Sequence, residues 1–283
     1  MIKVVGVIGL GAMGRPMSRH LVEAGYTVVG YDPDGAACEL AHTWGVRTLA
    51  SPKAVAQECD LAIIVVGFDS QVETVVFGED GIAAGAHPGL IIGLGSTGSP
   101  TYAREVAERL EGGDIALLDM PLTRGVAAAE SGTMLIMGGA EPPIFDLCRP
   151  VLETFATDIF NLGPFGSGQV GKMINNMILW ACMAANEEGL GFGEQFGVDR
   201  EALRSALCLS SAANFSLVER AEERPTPWAE KDMLIAQREA DQLRYCIPLA
   251  GQVKELIKAL KVRRGYPTPR DPDASITSRQ GLR

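Results

Sequence analysis

A chain of 283 residues with 47% apolar and 21% charged residues has enough apolar material to core two domains, which excludes global disorder. Its 25 Lys and Arg stand against 35 Asp and Glu, a net charge of −10, so neither nucleic acid nor an anionic membrane surface is an expected partner. No apolar run reaches the roughly 18 residues of a membrane span, and the start MIKVVGVIG runs on into LGAMG with no cleavage-type segment; the expectation is a soluble, cytoplasmic protein.

Over residues 1–163, short β-rich runs alternate with helical patterns. A strand at 3–9 leads to a helix over 15–24, then a strand at 27–32 and a helix at 36–42. Ser51 with Pro52 reads as an N-cap followed by proline at the first helical position, and Ser99-Pro100 repeats that start. LAIIVVG (61–67) is continuously apolar, as in a strand covered on both faces, and Asp69 is placed to cap the helix after it. Further strands fall at 90–94, 115–119, 133–138 and 158–162. This alternation predicts a mostly parallel sheet with helices on both faces.

The texture changes at the Gly/Pro hinge GPFGSG (163–168), beyond which no strand pattern remains. Residues 169–196 read as one long apolar helix, followed by helical patterns at 199–209, 213–223, 231–246 and 248–262. The expected division is therefore an α/β domain at 1–163 and an all-helical domain at 164–283, joined through the long helix. That helix is too apolar for a solvated surface, so a homodimer or homotetramer is expected. Gly189 and Gly193 weaken it as an isolated helix and point to close helix–helix approach. Residues 254–283 hold eight basic and three acidic residues, locally +5, which reads either as a solvated tail or as a basic lid over an anionic ligand. The six cysteines form no CxxC pair and read as reduced thiols, while the three histidines lack ligand spacing, so no protein-bound metal is expected.

The turn Gly9-Leu10-Gly11-Ala12-Met13-Gly14 directly follows the first strand and directly precedes a helix. In that context GxGxxG is a dinucleotide fingerprint: Gly9 turns the chain, Gly11 lets backbone approach a pyrophosphate, and Gly14 lets the helix pack on the strand. Asp32 closes the second strand, where a carboxylate accepts from ribose hydroxyls and repels a 2′-phosphate. YDPDGAA offers no Arg or Lys in compensation, so the cofactor reads as NAD rather than NADP, on a Rossmann domain. Within the long helix, Lys172 and Asn176 lie at i, i+4 on one face with Asn175 beside them. A lysine in so apolar a helix must reach solvent, find a partner or lose proton affinity, and the last would make it a general base.

Four motifs in this order resemble the β-hydroxyacid dehydrogenase family: GVIGLGAMGRPM, DMPLTRGVAAAESGTM, GSGQVGKMINN and KDM. The resemblance covers nearly the whole chain. It implies that Lys172 takes a hydroxyl proton while hydride passes to NAD, that Asn176 orients the substrate, and that Lys231 supports the cofactor–substrate side. It places Thr97, in GSTGSP, near the nicotinamide; Ser96 or Thr97 could equally cap the helix that follows. It also makes Thr123, Arg124, Gly125 and Asn175 substrate residues. Where the family has Ser-Gly-Gly this chain has Thr123-Arg124-Gly125, and Arg124 is either an anchor for a small anionic substrate or a surface arginine turned away. The implied activity is oxidation of a small 3-hydroxy acid or reduction of its semialdehyde. Alternatives are a reductase of short anionic aldehydes, an imine reductase-like enzyme and a non-catalytic NAD-binding protein. Imine reductases generally lack the lysine that Lys172 supplies.

Overall fold

The computed structural model describes residues 1–219 and 226–271. They form two compact units, Met1–Lys172 together with Asp271, and Met173–Arg270. The division falls inside the long helix, nine residues beyond the 163/164 boundary expected from texture.

In the first unit, β1 (Val4–Ile8), β2 (Thr27–Tyr31), β3 (Arg47–Thr48), β4 (Leu61–Ile64), β5 (Ile91–Leu94) and β6 (Ala116–Asp119) form a parallel sheet in the order β3-β2-β1-β4-β5-β6. This is the doubly wound order of dinucleotide-binding domains. Its helices are α1 (Gly14–Glu23), α2 (Gly35–His42), α3 (Pro52–Glu58), α4 (Asp69–Phe77), α5 (Ile82–Gly85) and α6 (Pro100–Leu110). Period-two alternation sends Val5, Leu61 and Ile63 to the core on one face and Ile8, Ala62 and Ile64 to the other. Two caps are as read from sequence: Ser51 Oγ accepts from Ala54 N at 3.2 Å and Ser99 Oγ from Tyr102 N at 3.1 Å. Asp69 differs. It is the first helical residue, Phe68 stands at the cap position, and the Asp69 carboxylate accepts from Ser99 N at 3.2 Å.

The strands expected at 133–138 and 158–162 do not join this sheet. β7 (Leu122–Thr123), β8 (Met134–Gly138) and β9 (Ala156–Asn161) form a separate three-stranded sheet, with β7 antiparallel and β9 parallel to β8. β8 buries alternate residues, as a strand with one covered face does, whereas β4 and β5 are buried throughout. Between these strands lie α7 (Gly125–Ser131) and α8 (Pro142–Leu152). The two sheets meet at Asp119 and Gly139, whose backbones exchange hydrogen bonds of 3.0 and 2.9 Å.

Helix α9 (Ser167–Gln195) starts in the first unit and continues into the second, where α10 (Arg200–Cys208), α11 (Phe215–Val218), α12 (Ala229–Gln242) and α13 (Pro248–Arg264) follow. Among the described residues the second unit contains no strand, and no helix is long and apolar enough to cross a membrane. Of the helix expected at 213–223, the described residues hold α11, and residues 220–225 lie outside the described ones. Met183, Ala229, Met233, Val253 and Ile257 core this unit. A Cβ on Gly193 would sit 2.5 Å from Leu203 Cδ2, the close approach expected of it, while Gly189 has nothing within 4 Å. The basic segment is largely helix: Lys261 is buried against Glu230 at 2.9 Å, and Arg264 pairs with Glu187 at 3.2 Å. The reading of a tail or lid is thus corrected up to Arg264, and residues 272–283 lie outside the described ones.

Candidate active site

The glycine turn is dictated by sterics. Gly9 has φ +99°, and a Cβ on it would lie 2.2 Å from the Val65 carbonyl oxygen; one on Gly14 would lie 1.9 Å from the Gly9 carbonyl oxygen. Both positions exclude any side chain. Gly11 meets nothing within 4 Å, so its backbone borders open space. Helix α1 begins with no side-chain cap at Met13 and no acidic residue in its first turn, which leaves its N-terminus suited to an anion. Asp32 braces the turn from the end of β2: Oδ2 accepts from Leu10 N at 2.7 Å and Oδ1 from Asp34 N at 2.9 Å.

A cavity of about 510 Å³ opens beside this turn, lined by Gly9, Gly11, Tyr31, Asp32 and Val65 and bounded by Glu79 and Asp80. It is of ligand size, and three carboxylates but no Arg or Lys line it. The open Gly11 backbone, the uncapped helix and the carboxylate at Asp32 fit a dinucleotide.

Two buried side chains organise the same carboxyl edge of the sheet three strands away, where Asp119 shares a register row with Ile8, Ile64 and Leu94. Asp119, fully buried at the end of β6, accepts from Gln169 N at 2.7 Å through Oδ2, while Oδ1 has no partner among the described residues. Burial pushes its carboxyl up to about 7, partly offset by the backbone N–H groups of Gln169, Gly166 and Gly168. Gln169 in turn bonds the loop after β5, donating to Ser96 O at 2.8 Å and accepting from Gly98 N at 3.1 Å. Ser96 is not a helix cap; its Oγ accepts from Val66 N at 2.8 Å, and Ser99 caps α6. Thr97 lies half-buried between the two residues that Gln169 holds.

At the end of β7, Thr123 Oγ1 is buried with no partner among the described residues, a state that costs free energy until a partner arrives. Arg124 has φ +80° and ψ 0°, the left-handed conformation a glycine adopts freely and an arginine holds at about 1–3 kcal/mol. Its Nη1 donates to Asp158 Oδ2 at 2.6 Å, Thr133 O at 3.0 Å and Thr157 Oγ1 at 3.2 Å. The guanidinium holds the Asp158 carboxyl below its ordinary value. The arginine is thus held in a partly exposed ion pair with Asp158. Gly125 follows with φ +74° and no atom within 4 Å of a Cβ.

On α9, Lys172 is half-buried and one turn before Asn176. In the second unit, Asn176 Nδ2 donates to Asp232 Oδ2 at 2.9 Å and its Oδ1 accepts from Asn175 Nδ2 at 3.0 Å. Trp180 Nε1 also donates to Asp232 Oδ2, at 3.1 Å. The amide of Asn176 is thereby held in one orientation. Lys231, beside Asp232 on α12, lies over the Trp228 ring at 5.4 Å. Sequence reasoning missed Asp119, Gln169 and Asp232, although the first opens DMPLTRG, the second lies in GSGQVGK and the third in KDM. The signals the sequence carries are a polar residue in an apolar helix start for Gln169, an acidic residue beside Lys231 for Asp232, and a carboxylate closing an apolar strand for Asp119.

A family model described as the NAD-binding domain of 6-phosphogluconate dehydrogenase matches residues 4–163, and one described as NAD-binding of NADP-dependent 3-hydroxyisobutyrate dehydrogenase matches residues 166–276. An uncharacterised oxidoreductase of Shewanella frigidimarina is 32% identical, covering 92% of this chain and 93% of its own. A 3-hydroxyisobutyrate dehydrogenase of Pseudomonas aeruginosa is 34% identical over 75% of this chain and 72% of its own. The solved structure of Mycobacterium tuberculosis 3-hydroxyisobutyrate dehydrogenase with L-serine superimposes with a TM-score of 0.83 at 28% identity, covering 95% of this chain and 97% of that one.

The buried carboxyl makes stability depend on pH. Asp119 ionises near 3.8 when unfolded and near 7 when folded, so between these values the folded chain holds a proton the unfolded chain lacks. Stability should therefore fall as pH rises from about 4 to about 7, and this component should vanish in Asp119→Asn. Urea unfolding of both proteins across that range checks it; identical pH slopes would contradict the raised value.

Proposed function

The chain belongs to the β-hydroxyacid dehydrogenase family, NAD(P)-dependent oxidoreductases that include the 3-hydroxyisobutyrate dehydrogenases, and from that premise we propose an NAD-preferring dehydrogenase of a small 3-hydroxy acid or its semialdehyde. The observation that carries the reading is Lys172 one turn before Asn176, on a helix whose first turn is bonded to the loop bearing Thr97. When bound, NAD takes up or returns the hydride. Lys172 Nζ accepts the substrate hydroxyl proton during oxidation and returns it during reduction, a role worth about 10²–10⁴-fold in rate. Asn176, its amide fixed by Asp232 and Asn175, orients the hydroxyl or carboxylate. Thr123 supplies its buried hydroxyl to the head group, with Gly125 offering its backbone. Lys231 supports the cofactor–substrate side.

Arg124 is left out of this scheme because Asp158 holds it, and the alternative of a specialised reductase for short anionic aldehydes loses its main residue. The cofactor preference follows from charge. Asp32, Glu79 and Asp80 border the cavity without a cation, so a 2′-phosphate would enter a negative field. Assays of a panel of 3-hydroxy acids and semialdehydes, L-serine among them, followed at the nicotinamide absorbance with each cofactor, test both points. At least one member should turn over, with a higher kcat/KM for NAD. A uniformly inactive panel, or a preference for NADP, contradicts the proposal.

The second unit exposes large apolar side chains, including Phe192 (64%), Phe196 (74%) and Leu209 (93%). Apolar exposure on this scale fits a partner surface, and a second copy of the chain is the proposed partner, in a homodimer or homotetramer. Sedimentation at micromolar concentration should show no monomer; a monomer refutes this assembly.

A further inference from the structure

One buried side chain joins the cofactor-side loop to the helix turn that leads to Lys172. Gln169 is fully buried, and both ends of its amide are spent on the backbone of a segment about seventy residues away: Nε2 on Ser96 O at 2.8 Å, Oε1 on Gly98 N at 3.1 Å. Its own N–H is fixed by Asp119 at 2.7 Å. A loop that needed only packing could be held by an apolar side chain. An amide that matches one carbonyl and one N–H instead sets register and angle together, and leaving either unmet in so buried a place is costly. The seat leaves no slack. A Cβ on Gly168 would lie 2.5 Å from Met137 O and 2.7 Å from Asp119 Oδ2; one on Gly139 would lie 2.3 Å from Asp119 Oδ1.

We propose that Gln169, seated by Asp119, is a positioning residue that locks the Ser96–Gly98 segment, with Thr97 at its centre, to the turn of α9 carrying Lys172. The proposal rests on the reading of Lys172 as general acid/base and Thr97 as a cofactor residue. Gln169 acts through these groups, so its loss should misplace them, and misplacement by about 1 Å can lower rates about 10²-fold.

The test uses Gln169→Met, which keeps length but removes both amide bonds, and Gln169→Glu, which keeps the acceptor for Gly98 and loses the donor to Ser96. Amide hydrogen exchange at Gly98 is measured in the cofactor-free protein, and kcat and KM are measured in wild-type and Lys172→Ala backgrounds. Gln169→Met should speed Gly98 exchange and lower kcat about 10–100-fold with KM within a few-fold. It should lower kcat by a smaller factor once Lys172 is already alanine, because only the part carried through Thr97 remains. Gln169→Glu should lower kcat with Gly98 exchange slower than in the Met variant, and it carries the comparison if the Met variant does not fold. Unchanged kcat, or an equal fall in both backgrounds, overturns the proposal. If Lys172→Ala alone keeps full turnover, the lysine reading fails separately, and Gly98 exchange with the Gln169→Met kcat still decides whether the brace exists and matters.

Discussion

A carboxyl group withdrawn from water at the end of β6 is the constraint on which the first unit turns. The backbone of Asp119 pairs with Gly139, which joins the six-stranded sheet to the three-stranded one, and its carboxyl receives the N–H of Gln169 at the start of α9. Two sheets and a helix thus meet at one residue. Burying such a group opposes its ionisation, while N–H groups at the helix start favour it; burial wins, and the carboxyl is raised to about 7. The glycines around it follow from the same geometry, since a side chain on Gly139 or Gly168 would collide with the carboxyl it surrounds.

Three strands along the same sheet edge, the glycine turn works by leaving space rather than filling it. Gly9 and Gly14 press backbone against backbone, and between them Gly11 stays open to the cavity. Asp32 closes this turn through Leu10 N while facing the same cavity. The start of α1 carries no side-chain cap and no acidic residue in its first turn, which favours an anion there, whereas the charged residues lining the cavity beyond are the carboxylates Asp32, Glu79 and Asp80.

What could be read from sequence was what local sterics decide. The caps Ser51 and Ser99 depend on neighbours within a few residues and are found where expected; the turn at 9–14 also leans on Asp32 and Val65, but its glycine spacing carries the signal locally. Pairing across long sequence distance was not legible. Strands β8 and β9 look like any other β-rich run, and their separate sheet depends on the reversal after Asp119. The charge of Arg124 is visible in the sequence, but its partner Asp158, 34 residues on, is not. Gln169 and Asp232 gain their roles only from partners 50 to 73 residues away. The left-handed backbone at Arg124 explains why a family pattern has glycine there, yet nothing local in this chain reveals it.

The central claim is that Lys172 moves the hydroxyl proton, and replacing only that group tests it most directly. Single-turnover oxidation by Lys172→Ala, with a 3-hydroxy acid that the wild-type chain accepts and cofactor already bound, isolates the chemical step. The account predicts a rate about 10²–10⁴-fold below wild type with NADH affinity essentially unchanged. A rate near wild type would contradict it.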